Sequence, residues 1–240
     1  EFDTNQAKVA LLRVPDRPGI AAQLFGAVAQ KNLNVDLIIQ SINEGNFNDI
    51  AFTVEKEVLA DATTLSSSLI PSLRGASDDR DTVALVTDTD IAKVSIAGAG
   101  MIGRPGVAAK MFSTLAAADV NIQMIATSEV KVSCTITASD CDRTIAALCT
   151  AFDLNQSPAR LEDKPTSIMG PAVRGVALDR NQARLALRYV PDQPGMAAKL
   201  FQILADRGIS VDMIIQAQRC RKYHGVTTRD IAFTVAQADA

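Results

Sequence analysis

One segment occurs three times in this chain. Val14–Phe25 (V-P-D-R-P-G-I-A-A-Q-L-F) returns at Val190–Phe201 (V-P-D-Q-P-G-M-A-A-K-L-F), and a looser copy, G-R-P-G-V-A-A-K-M-F, lies at Gly103–Phe112. Each copy is followed by an apolar run at a constant distance: Gly19 precedes Asp36, Gly106 precedes Gln123 and Gly195 precedes Asp212 by 17 residues. A spacing held three times means one supersecondary unit used three times, so function is to be sought in the repeat and its interfaces.

One copy can be read physically. Lys8–Val14 is short and rich in Val and Leu, a strand pattern. The two prolines of Pro15-Asp16-Arg17-Pro18-Gly19 end it by removing donors and fixing φ. From Ile20 the apolar positions Ile20, Leu24, Val28 and Ala21, Phe25 keep i, i+4 spacing, which predicts a helix to about Lys31. A strand over 35–41, turn residues Asn43-Glu44-Gly45-Asn46, a strand over 49–54, a helix over 57–69 and a strand over 82–86 complete the order β-α-β-β-α-β. That order predicts an α+β fold of tandem ferredoxin-like units, each an antiparallel sheet with both helices on one face. The other face stays partly apolar, so such units tend to pair.

The repeat divides the chain into a first unit over 1–87, a second over 88–154, a linker over 155–177 rich in proline and mixed charge, and an incomplete third unit over 178–240. The second unit is expected to have strands near 91–97, 121–127, 130–137 and 151–154, with helices near 105–118 and 140–150 and a tight turn at Ser128-Glu129. Leu178–Leu185 echoes Phe2–Val9, so the closest self-match is first unit to third, offset by 176 residues (19 to 195). The third unit stops before a second helix and fourth strand. Its hairpin is five residues longer than that of the first unit (216 to 230 against 40 to 49) and carries Arg219, Arg221, Lys222, His224 and Arg229. A solvated tip is the plain reading of those charges; an anion site is the sharper one.

Several classes are disfavoured. A net charge of -3 argues against a nucleic-acid partner. An RNA-binding ferredoxin-like sheet would need exposed strand aromatics, yet aromatic content is 4 % and only Phe52 and Phe233 are strand-central. No apolar run approaches the roughly 20 residues that span a bilayer. Cys134, Cys141, Cys149 and Cys220 lack zinc-ligand spacing and read as buried, reduced thiols of a cytoplasmic protein. Asp78, Asp79, Asp81, Asp88 and Asp90 read as a solvated turn rather than a metal cluster. His224 has no paired nucleophile, and no catalytic constellation is present.

The repeated loop has chemistry of its own. A helix that starts at a Pro-Gly step presents free backbone N–H groups and the positive end of its dipole, suited to a carboxylate or phosphate. Asp16 could accept hydrogen bonds from an ammonium group, and Asn34 or Gln40 could add amide contacts. Together these describe a site for an α-amino acid. The competing reading is an ordinary strand-to-helix turn in which Asp16 caps the helix. The second unit lacks the Asp, and its glycines fit neither a dinucleotide fingerprint nor a Walker loop.

The segments Val14–Phe25, Asn34–Ser41 (N-V-D-L-I-I-Q-S) and Asp49–Val54 (D-I-A-F-T-V), with Ala92–Ile96, Gly106–Phe112 and Thr127–Cys134 in the second unit, resemble the regulatory, ACT-domain region of aspartate kinases. The doubled pair resembles the cyanobacterial type, with four ACT domains behind the kinase domain. The resemblance implies lysine and threonine as effectors, a homodimer through ACT units, and a kinase domain on the same polypeptide that uses ATP and Mg. This chain, without kinase motifs, would carry no cofactor and no catalysis. It further implies that Asp16, Gly19, Ile20, Ala21 and Gln40 line one effector site completed by Asn121 and Ile122. Met101, Gly106, Val107, Ala108, Thr127 and Ser128, facing Val35 and Asp36, would form its partner. Asp192, Gly195, Met196, Ala197 and Gln216 repeat the first pattern, with a fourth unit expected to supply their other half. An assembly scaffold that binds no ligand is the alternative.

Overall fold

The structure is a computed structural model that describes residues 1–42, 47–74, 83–101, 103–128, 130–155, 178–216 and 220–240. The expected turn at 43–46, Asp78, Asp79, Asp81, Glu129, Arg219 and nearly all of the linker lie outside those residues. The elements of the first unit are β1 (Phe2–Pro15), α1 (Ile20–Gln30), β2 (Ile38–Ile42), β3 (Phe47–Glu55) and α2 (Leu59–Arg74). Next come β4 (Ala84–Ala97), α3 (Val107–Ala117), β5 (Met124–Ser128), β6 (Lys131–Thr137) and α4 (Cys141–Phe152). The last group is β7 (Gln182–Pro191), α5 (Met196–Asp206), β8 (Ile214–Gln216), β9 (Arg221–Tyr223) and β10 (Val226–Ala236). The α+β class and the antiparallel, ferredoxin-like arrangement are as the pattern requires. The helix α2 runs past its expected end at 69 and through Pro71, because Leu73 in its last turn is fully buried.

The largest departure concerns the fourth strands. The expected strands at 82–86 and 91–97 are one continuous strand, β4, which pairs antiparallel with the equally long β1 from Phe2↔Val94 to Leu12↔Ala84. A single six-stranded sheet results, in the order β2-β3-β1-β4-β6-β5. The first half of β4 completes the first unit, while the first half of β1 completes the second. The strand expected near 151–154 does not form. Residues 151–152 continue α4, which buries Cys141, Thr144 and Leu148 on one stripe and stops at Asp153 with φ 55°. The start of β1 already occupies that edge. In the third unit the order is β7-β10-β8, with β9 paired to β10.

Each unit places its helices on one sheet face. Ile20, Leu24 and Val28 of α1 and Ala62 and Leu73 of α2 pack on Val9, Leu11, Ile50 and Phe52. The second and third units share one core, in which Met111, Phe112 and Leu115 of α3 meet Ala197, Ala198 and Phe201 of α5. The opposite face of the first unit is also covered: Ala10, Ile39 and Ala51 pack against Met124, with Ile215 alongside. Across this contact Lys93, 2 % exposed, forms an ion pair with Asp36. Lys8 pairs with Asp88 at 3.1 Å.

A bulge ends the first strand of the first and third units. Arg13 and Tyr189 adopt φ 60° and 61°. The backbone N–H of each is held by an aspartate across the ladder: Arg13 donates to Asp49 Oδ1 at 2.8 Å and Tyr189 to Asp230 Oδ1 at 3.0 Å. The side-chain bond holds a backbone turn unfavourable for an L residue, and so aims the following loop.

Removing one partner of a buried ion pair strands the other charge. Lys93→Ala should lower unfolding stability by about 3 kcal/mol, measured by urea denaturation. Lys93→Met combined with Asp36→Leu should recover most of that loss.

Candidate functional site

The second and third units meet along a seam with approximate two-fold character. Edge strands β5 and β8 lie side by side. Thr127 Oγ1 accepts from the Ile214 N–H at 2.8 Å and donates to the Asp212 carbonyl at 3.2 Å. Gln216 Nε2 donates to the Ile122 carbonyl at 3.0 Å. The helices α3 and α5 cross at equivalent places. A Cβ built on Gly106 would sit 3.6 Å from the Ala205 Cβ, and one on Gly195 would sit 3.7 Å from the Ala116 Cβ. The matched rings Phe112 and Phe201 stand 5.3 Å apart between them. Both glycines enter their helices in the left-handed region, φ 90° and 89°, where an L side chain is strained. The glycine requirement therefore comes from the backbone more than from the close approach.

Two pockets flank the seam. The first, about 790 Å³, lies at the start of α3. Met101, Gly106, Val107, Ala108, Thr127 and Ser128 all line it. The residues facing them are Val211 and Asp212 of the third unit, not Val35 and Asp36 of the first. Val35 packs into the core of its own unit and Asp36 is bound to Lys93. Arg104 lines this pocket from the second unit, and Asp179, Gln182 and Asp212 line it from the third. Gln182 Nε2 donates to Asp179 Oδ2 at 2.8 Å and also to Asp212 Oδ2. Hydrogen bonds from Gln182 and from the Asn181 N–H hold the Asp179 carboxyl below its ordinary pKa.

The second pocket lies at the start of α5. It gathers Asp192, Gly195, Met196, Ala197 and Gln216 with Asn121 and Ile122. Asn121 and Ile122 thus stand beside the third unit's loop rather than the first's. The cause is the shared β1–β4 ladder. It joins the first two units within one sheet and leaves the β5 edge and α3 face of the second unit to the third. Asn121 Nδ2 donates to Asp192 Oδ1 at 3.1 Å. Arg229, expected at a solvated hairpin tip, is instead mostly covered here, its side chain 11 % exposed. Its Nε lies 2.9 Å from Asp192 Oδ2 and its Nη1 donates to the Gln123 carbonyl at 2.7 Å.

The first unit's loop is open. Asp16, Gly19, Ala21 and Gln40 are exposed, while Ile20 is buried beneath α1. Arg17 ties the loop to the end of α2 by donating to the Ser72 and Leu73 carbonyls at 3.1 and 3.3 Å.

Three positions escaped the sequence reading: Asp49 and Asp230 shape the loops, and Asp179 enters a pocket, as does Arg229, one of the hairpin charges. A signal for Asp179 existed, since Asp3 and Asp179 stand in the echoing stretches and make the same bonds. Asp3 accepts from the Asn5 N–H at 2.9 Å and Gln6 Nε2 at 2.8 Å; Asp179 accepts from the Asn181 N–H and Gln182 Nε2, both at 2.8 Å. The thiols divide. Cys134 and Cys141 are buried, with burial pushing Cys134 up to about 12, whereas Cys149 is half-buried and Cys220 is exposed beside Asp192. Among the described residues no group of acidic, Cys or His side chains could hold a metal ion. No helix among them is long and apolar enough to cross a membrane.

Comparison with known proteins follows the same division. ACT-domain profiles match residues 8–65 and 186–240, and a second ACT-domain profile matches 94–152. An aspartate kinase of Pseudomonas fluorescens is 40 % identical over 159 residues, covering 66 % of this chain and 37 % of that protein. The crystal structure of aspartate kinase from Synechocystis superposes with a TM-score of 0.92 at 57 % identity, covering 99 % of this chain and 40 % of that one. The ligand-free regulatory subunit of Thermus thermophilus aspartate kinase gives a TM-score of 0.55 at 35 % identity, covering 63 % of this chain and 95 % of that one. The chain therefore spans well under half the length of the whole kinases it resembles.

Thr127 is the polar hinge of the seam. Thr127→Val should leave the Ile214 N–H without its acceptor and cost about 1–3 kcal/mol. Chemical denaturation would report the loss, and hydrogen exchange at Ile214 should quicken.

Proposed function

The chain belongs to the ACT-domain regulatory regions of aspartate kinases, and on that premise we propose that it senses free amino acids, taking lysine and threonine at seams between ACT units. The observation that carries this reading is the polarity of the α3 pocket. The second unit lines it with the opening of α3, from Gly106 to Ala108, and with Arg104; the third unit lines it with Asp179 and Asp212. A zwitterion matches both linings, its carboxylate toward the helix start and its ammonium toward the aspartates. Because hydrogen bonding holds Asp179 below its ordinary pKa, its charge survives mild acidification, and so should its grip on the ammonium.

The regulatory step follows from linkage. Effector bound in the seam favours the arrangement of units that grips it best, and it shifts the kinase only as far as its affinity differs between arrangements. In this reading the chain itself performs no chemistry. Phosphorylation of aspartate, with ATP and Mg, belongs to a kinase domain on the same polypeptide, and lysine and threonine formed downstream return as feedback inhibitors.

A homodimer through ACT units is part of the proposal. Ile38 of β2 is 52 % exposed, while its repeat counterparts Ile125 and Ile214 are buried in the seam at 0 % and 1 %. The first unit thus carries an uncovered version of the surface by which the second and third units join, beside the open loop of Asp16. A second copy offers the same surface, as an isologous contact requires.

Calorimetry with lysine and with threonine tests the sensing role. Asp212→Asn should weaken binding at least about tenfold, the worth of a charge-assisted hydrogen bond. A pure scaffold would give no heat with either amino acid. Ile38→Asp should convert dimer to monomer in sedimentation equilibrium without changing the circular dichroism spectrum.

A further inference from the structure

The two pockets of the seam are related by its approximate two-fold, yet they differ in one decisive respect. The α3 pocket is open, at about 790 Å³. The α5 pocket has about 20 Å³, room for little more than one water. Arg229 lines it together with Asp192. Its side chain and that of Asp192 are each 11 % exposed and lie against one another. Asp192 stands where the repeated loop carries its only acid, the group suited to a ligand's ammonium. Both of its carboxylate oxygens are engaged. Asn121 donates to Oδ1 at 3.1 Å, while Arg229 and the Cys220 thiol, at 2.9 and 3.5 Å, approach Oδ2. A hydrogen bond from Nη1 to the Gln123 carbonyl across the seam anchors the guanidinium.

The first unit lacks this device. Asp49 and Asp230 hold equivalent bulges, so the residue before each, Asn48 and Arg229, is equivalent too. Asn48 has no charge to offer, and Asp16 lies exposed.

We propose that Arg229 is a tethered stand-in for an effector's ammonium group, holding the α5 pocket shut so that the two pockets of one seam bind unequally. This rests on the amino-acid reading above. With Arg229 in place Asp192 is already neutralised, and a free amino acid must displace a partner that never diffuses away. The apparent affinity of the α5 pocket is lowered by the fraction of molecules in which Arg229 has swung out. The α3 pocket carries no such tax and fills first. Occupancy of the second pocket then serves as a high-concentration response built into the same seam.

The amide resonances of Gly106 and Gly195 report the two pockets separately. In the intact 240-residue chain, titration with threonine and with lysine should move Gly106 at concentrations about tenfold or more below those that move Gly195. Arg229→Asn, the first unit's residue at this position, should bring the Gly195 midpoint down to that of Gly106 and add one binding equivalent in calorimetry. Adding Asp192→Ala should remove that equivalent. Arg229→Lys, which keeps the charge but loses the double reach, should fall between. Coincident midpoints in the wild type, or a Gly195 midpoint unmoved by Arg229→Asn, would overturn the proposal while leaving amino-acid sensing intact. Silence of both glycines in every protein would overturn both.

Discussion

The antiparallel ladder between β1 and β4 is the contact on which the arrangement depends. Each strand is 14 residues long, twice what one unit needs, and they pair over nearly their whole length. A sheet edge left unpaired exposes backbone donors and acceptors. The exchange of half-strands closes that edge for both units at once, and makes two sequence repeats into one folded body. It also orients everything else. With the first and second units joined through their fourth-strand edges, the second unit keeps its β5 edge and α3 face for another partner, and the third unit takes them.

The seam so formed is a good place for a sensor. Its polar contacts are few and local: Thr127 to Ile214 and Asp212, Gln216 to Ile122, Asn121 to Asp192. Its apolar part is a shared helix face centred on Phe112 and Phe201. Two helix starts point along it in opposite senses, and each is met by side chains from the neighbouring unit. A ligand lodged there touches both units, which is the condition for ligand affinity to depend on how the units sit. The first unit, packed by its open face over β5 and β8 through Ala10, Ile39, Ala51 and Met124, would feel any change in that seam.

Duplication supplied two pockets, and divergence made them different. At the α3 start the loop acid is missing, and the third unit supplies aspartates from the opposite side. At the α5 start the acid is present and already answered by Arg229. An identical pair of pockets would report one concentration; an unequal pair can report two.

The sequence alone determined the repeat, the strand–helix–strand order and the glycine at each helix start. These are local properties, set by turn chemistry, periodicity and backbone φ, and Gly106 and Gly195 adopt the left-handed conformation that Pro-Gly steps foretell. It also held the Asp-x-Asn-Gln echo at Asp3 and Asp179, though not the bonds those aspartates make. Only the tertiary structure decided which unit faces which. Asn121 is equally suited to the loop of Asp16 or that of Asp192, because the two loops are nearly identical, and no local feature separates them. The choice falls to long-range strand pairing, where β1 reaches β4 and displaces the strand expected at 151–154. The near-burial of Arg229 has the same origin, for a charge on a hairpin reads as solvated until the second unit closes over it with the Gln123 carbonyl and it turns inward onto Asp192 of its own unit.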